Sequence, residues 1–116
     1  MQLVVIVLYR VEQMEDLLVH FTEKGIHGAT ILESTGMATV LGNNEDLSMF
    51  GALRKRFNPE RQESKTILTV LPDEEIPVIK KALEDVVGDI NQPNTGIIFG
   101  VPISFAEGLG GLSIGD

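Results

Sequence analysis

Residues 36–64, GMATVLGNNEDLSMFGALRKRFNPERQES, run for 29 positions between two segments that read as β-strands. A hairpin between neighbouring strands needs about 2–5 residues, and connections beyond about 12–15 are usually functional or disordered. The length of this one decides how the chain is organised: the insertion is the working part, and its flanks are the platform. Leu47, Phe50, Leu53 and Phe57 recur within it at helical intervals, Asn44 stands where an N-cap belongs, and Arg54, Lys55 and Arg56 fall in the last turn, where the helix dipole favours cations. Asn58-Pro59 would stop that helix. Gly51 at its centre costs about 1 kcal/mol against alanine. The insertion is therefore expected to be mobile without a ligand or partner.

Working outward on the N-terminal side, residues 3–8 (LVVIVL) are apolar at every position. The run is short and β-branched, so it reads as a strand, and one with both faces buried. Met14, Leu17, Leu18 and Phe21 then follow helical spacing, with Gln13, Asp16, His20 and Lys24 on the opposite side. Gly25 sits where a left-handed residue ends a helix. Residues 29–34, introduced by Gly28, read as the second strand, and the pattern extends past Gly36 through Thr39-Val40-Leu41.

On the C-terminal side, residues 66–71 read as the third strand. Pro72-Asp73-Glu74-Glu75 looks like a capped helix start, with carboxylates at the positive end of the dipole. Pro77 falls in or near the first turn, where a missing N–H does least harm. Ile76, Ile79, Leu83 and Val86 form the apolar stripe, and Gly88 ends the helix. Residues 89–95 are a polar loop and 97–103 the fourth strand. Pro102 cannot donate to a ladder, so this strand is an edge or ends there. From Gly108 onward there are four glycines in nine residues, so 106–116 is expected to be a flexible tail.

The order is β-α-β-insertion-β-α-β. That is the α+β, ferredoxin-like βαββαβ plan: a four-stranded antiparallel sheet with two helices on one face, in one domain spanning 1–105. The two helices serve one face of the sheet, yet residues 3–8 and Ile97-Ile98-Phe99 are apolar on both. Another copy of the sheet is the simplest cover for the second face, so a homo-oligomer is expected.

Composition narrows the function classes. A net charge of −8 argues against nucleic acid, whose phosphates need a basic face. Without cysteine there is no disulfide framework and no thiolate metal site. The longest apolar run is too short to span a bilayer, and its flanks do not make a signal peptide, so no direct membrane insertion and a cytoplasmic location are expected. His20 and His27 are seven positions apart and do not share a helical turn; two ligands leave a metal site incomplete, so no metal is expected. Asp73, Glu74 and Glu75 are explained by capping. Arg10 after the first strand has no nucleophile–base pair near it, which weighs against a ferredoxin-like hydrolase and for a protein that is not an enzyme.

Four short motifs, in this order and spacing, resemble those of the nitrogen regulatory protein PII and its PII-like relatives: Gly25-Ile26-His27-Gly28-Ala29-Thr30, the glycines Gly36 and Gly42 at the opening of the insertion, Thr69-Val70-Leu71-Pro72-Asp73, and Gly96-Ile97-Ile98-Phe99. The resemblance covers about residues 1–105. It implies a homotrimer, a T-loop over 36–64, and clefts between subunits that hold an adenine nucleotide (ATP, ADP or AMP) as effector, with no cofactor required. It implies signalling through that loop to a partner, a membrane transporter or an enzyme. By position, Thr30 and the backbone of Gly36, Met37, Ala38 and Thr39 would contact the base. Asn94, Thr95 and Gly96 would lie on the phosphate side, with Asn91 nearby.

The family's phosphate-side loop and last strand carry basic residues, whereas here no Lys or Arg follows Lys81, and Thr39 stands where the loop's opening usually carries an arginine. A ligand with few phosphates is therefore expected. Arg54, Lys55, Arg56, Arg61 and Lys65 supply five of the nine basic residues in the chain, and Arg54, Lys55, Arg56 and Arg61, together with Phe50, are read as the partner-binding part of the loop. The alternatives are a metal-binding trimer like the CutA family and the hydrolase already described.

Overall fold

A computed structural model describes residues 1–42 and 63–109. The helix expected around Leu47–Phe57, the residues Phe50, Arg54, Lys55, Arg56 and Arg61, and the end of the tail lie outside these residues.

The described elements are β1 (Gln2–Leu8), a 3-10 turn (Val11–Gln13), α1 (Met14–Glu23), β2 (Thr30–Ser34), α2 (Met37–Gly42), β3 (Ser64–Leu71), a second 3-10 turn (Asp73–Glu75), α3 (Ile76–Val87) and β4 (Gly96–Pro102). The four strands form one sheet in the order β2-β3-β1-β4, and every neighbouring pair is antiparallel. The protein is thus α+β, and its sheet is compatible with the ferredoxin-like plan. Pro102 closes β4, which lies on an edge as its missing N–H requires.

The apolar run that begins the chain becomes β1, one of two inner strands paired on both sides. Its alternate residues Val4, Ile6 and Leu8 are buried, and they join Leu17 and Phe21 of α1, Ile67 of β3, and Ile79 and Leu83 of α3 in one cluster. Directly opposed residues share a sheet face, so the row Ile98–Ile6–Ile67–Ile31 runs across all four strands on this side. The opposite face carries the rows Phe99–Val5–Leu68–Thr30 and Ile97–Val7–Thr66–Leu32, with Val101–Leu3–Val70 beyond them. No residue of these rows is charged. Phe99 and Ile97 are about half exposed, at 48% and 47%.

Helix boundaries follow local chemistry. The 3-10 turn leads into α1 without a side-chain cap. At the other end Gly25 takes φ +89, and Ile26 N–H returns to Phe21 O at 2.8 Å. At the end of α3, Gly88 N–H donates to Glu84 O, while Arg10 Nη1 and Gln13 Nε2 donate to the carbonyls of Val87 and Val86. These bonds occupy carbonyls that a helix end leaves without partners.

Two expectations are corrected. The second strand does not continue through Thr39-Val40-Leu41. It ends at Ser34, opposite Ser64, the first residue of β3, and the chain turns into α2. Past that rung β2 has no ladder partner among the described residues, and the backbone bonds locally, with Val40 N–H donating to Gly36 O at 3.1 Å. Asp73, Glu74 and Glu75 form a 3-10 turn without a side-chain cap, and α3 starts at Ile76. Asp73 instead accepts from the Met1 ammonium at 3.1 Å and from Gln2 Nε2 at 3.3 Å, which holds its carboxyl below the usual range.

Candidate functional site

The residues expected around a ligand fall in three places. Thr30, exposed at the start of β2, lines a cleft of about 390 Å³ at the end of the sheet where β1 begins and β3 finishes. Leu3, Ile26, Leu68 and Leu71 supply much of its apolar lining, and His27 and Glu75 bring polar groups. The segment before β2 is tied to the sheet there: Thr69, 3% exposed, donates its hydroxyl to Gly28 O at 2.6 Å.

Gly36, Met37, Ala38 and Thr39 lie at the opposite end of β2, where the insertion leaves the sheet. Met37 is 78% exposed. Their anchor is the last rung of the β2–β3 ladder. Thr66 Oγ1 donates to Ser34 Oγ at 2.9 Å, Ser34 and Ser64 share a 2.7 Å contact between hydroxyls, and Ser64 Oγ donates to Ser34 O at 3.0 Å. One proton per hydroxyl satisfies the chain Thr66 to Ser34 to Ser64 to carbonyl. Sequence reasoning missed this relay. Its only signal was three hydroxyl residues near the two ends of the insertion. Beside it, Lys65 faces Glu33 across the strands at 3.7 Å.

The third group sits in the loop from α3 to β4. Asp89 Oδ1 accepts from Asn91 N–H at 2.9 Å and from Asn91 Nδ2 at 3.2 Å, and the backbone bond holds the Asp89 carboxyl below its usual range. Asn94 adopts φ 58. Thr95 is wholly buried and donates to Pro93 O, while its carbonyl receives Tyr9 N–H at 3.1 Å. Gly96 is there for space: a Cβ would lie 2.6 Å from Val7 O. The hydroxyl of Thr95 and the absent side chain of Gly96 are thus accounted for by the fold, leaving backbone groups and the amides of Asn94, Asn91 and Gln92 as neutral donors in this loop.

The second and third groups share one end of the sheet but occupy its two edges. Crossing from β2 to β4 takes three strand spacings, about 14 Å. The Thr30 cleft lies about 13 Å along β2 from its other end. The cleft that Thr30 lines includes neither residues 36–39 nor residues 94–96. The described cations with known partners are committed elsewhere: Arg10 to Val87 O, Lys65 to Glu33 and Lys81 to Asp85. Among the described residues no three His, Asp or Glu side chains converge as a metal site would need, and no helix is long and apolar enough to cross a membrane.

No protein-family model matches the chain, and no curated protein matches it.

Proposed function

We propose that this chain is a non-enzymatic, PII-like regulatory protein built on the ferredoxin-like plan, with α1 and α3 over one sheet face. It acts as a homotrimer that binds an adenine nucleotide or nucleoside between subunits. It signals through residues 36–64 to a transporter or enzyme. One observation supports the reading: the expected ligand residues stand on the two opposite edges of a sheet whose second face carries uncharged rows, with Phe99 and Ile97 about half exposed. A site made from them is complete only when copies meet, and that face gives copies a reason to meet.

The ligand follows from charge. Asn94 and backbone N–H groups are neutral donors, and charge-assisted bonds are about twice as strong as neutral ones. A triphosphate would therefore be held poorly unless Arg54, Arg56 or Arg61 reached it. Calorimetry with ATP, ADP, AMP and adenosine tests this on wild type and on the triple variant Arg54→Ala/Arg56→Ala/Arg61→Ala. AMP or adenosine should bind wild type at least as tightly as ATP. If ATP binds tightest and the triple variant binds it equally well, the reading of the ligand is wrong; if no adenine compound binds, the effector reading fails altogether.

A further inference from the structure

β4 delivers the chain to the end of the sheet where the Thr30 cleft lies. Pro102 stands opposite Gln2, and Ile103 N–H donates to Met1 O at 3.3 Å. The cleft opens beside the same strand ends, between Leu3, Leu71 and Pro72 and the segment that leads into Thr30. After Ile103 the chain leaves the ladder, and residues 104–108 are exposed, Phe105 at 79%. Leu109 then returns to the fold: it is partly buried and lines the cleft.

This return is specific in two ways. The first is the bend that makes it. The β3 side of the cleft is two strand spacings from β4, about 10 Å. The six steps from Ile103 to Leu109 can span about 20 Å, so the segment has slack to turn back. Gly108 makes the turn with φ +88, a left-handed conformation that glycine adopts without strain. A Cβ at Gly108 would meet nothing within 4 Å, so the demand for glycine there is conformational and not one of space. The second is the choice of side chain. Of the two large apolar residues in 104–109, the phenylalanine stays in solvent and the leucine takes the cleft. Unselective collapse would bury the larger ring first.

We infer that residues 103–109 are an intramolecular strap: Leu109 covers one side of the Thr30 cleft, and a molecule enters or leaves the cleft by displacing it. The bend at Gly108 holds the strap down. Leu109 shields apolar lining but has no donor or acceptor for Thr30, His27 or Glu75. The strap is therefore a movable cover, which leaves the polar groups of the cleft to whatever enters. That the entering molecule carries an adenine ring rests on the function proposed above; the strap itself does not.

In the wild-type protein, nuclear Overhauser contacts should join the Leu109 methyls to Ile26 or Leu71. Their absence overturns the strap, and so do contacts found only between differently labelled copies. The chain has no cysteine, so an introduced thiol reports cleanly. Glu75→Cys places one in the lining of the cleft. Iodoacetamide should alkylate it at least about threefold faster once Gly108→Val is added, because the loosened segment opens more often. Leu109→Ser should act alike, and unchanged rates with both overturn the cover. Should Glu75→Cys fail to fold, Gly108→Val alone decides: it should abolish the Leu109 contacts, and contacts that persist overturn the role of the bend. Adenosine should associate with and dissociate from both strap variants at least about threefold faster than wild type, as behind a loosened lid. Adenosine rates that stay at wild-type values while alkylation accelerates overturn entry through this cleft. Adenosine that binds none of these proteins removes the effector, while intact contacts and accelerated alkylation keep the strap.

Discussion

Gly96 and Gly100 lie four residues apart on β4 and should answer a methyl group differently. A Cβ at Gly96 meets backbone, Val7 O at 2.6 Å, at the end rung of the β1–β4 ladder, and a backbone carbonyl cannot swing away as a side chain can. Gly96→Ala should cost about 1–3 kcal/mol in a denaturant titration. A Cβ at Gly100 meets the amide oxygen of Gln2, the far end of a flexible side chain that can swing away. Gly100→Ala should stay within about 0.5 kcal/mol of wild type. At the same scale, Asp89 reports on its loop. Its carboxyl is depressed by the Asn91 N–H, so it stabilises the fold fully above the unfolded value of about 3.9. That contribution is lost as pH falls through the lower, folded value. The Asn91 amide resonance, followed in an acid titration, should move with a midpoint below 3.9 as a fraction of this carboxyl protonates, and the step should vanish in Asp89→Asn. A midpoint at or above about 3.9 contradicts the hydrogen bond.

Among the elements, β2 is the weakest strand by construction. It has five residues and one partner, and its last rung depends on the Ser34 hydroxyl. Ser34→Ala takes the acceptor from the Thr66 hydroxyl, while Ser64 keeps its bond to Ser34 O, and should cost about 1–2 kcal/mol. The loss should appear first as faster hydrogen exchange at Ser64, Lys65 and Thr66, because a strand end opens before the sheet does. Unchanged exchange there would show that the relay holds nothing. α3 stands in contrast: it buries Ile79, Ala82, Leu83 and Val87, and its last carbonyls receive Arg10 and Gln13.

For the whole molecule, Val5 and Ile6 separate the two faces that neighbouring residues serve. Ile6 is wholly buried in the cluster with Leu17, Phe21, Ile79 and Leu83, whereas Val5 belongs to the opposite face of the sheet with Phe99 and Leu68. Ile6→Asp places an unpaired charge in the core and should abolish folding, read as loss of the cooperative transition in circular dichroism. Val5→Asp should leave a folded, soluble chain that light scattering finds monomeric. A Val5→Asp protein that assembles like wild type would mean that this face is not where copies meet.

Element types and their order could be read from the sequence because they depend on local regularities. A six-residue apolar run, helical spacing of Leu17 and Phe21, and a proline that must sit at an edge act within a few residues of themselves. The same local signals failed at Thr39-Val40-Leu41. Those residues have strand-like side chains, but a strand also needs a partner, and the ladder ends at the Ser34–Ser64 rung. The candidate site was legible only as residue types. Sequence alone marked Thr30, the Gly36 turn and residues 94–96 but said nothing of the distances between them. Strand order put two of these groups on opposite edges, and packing assigned Thr95 and Gly96 to the fold. Which of Val5 and Ile6 faces the helices was also beyond the sequence, since a run apolar at every position carries no alternation to read. The amino-acid sequence by itself determined the elements and the surplus of apolar surface. Only the tertiary structure decided which surface is left over, because burial is settled by contacts between residues far apart in the chain.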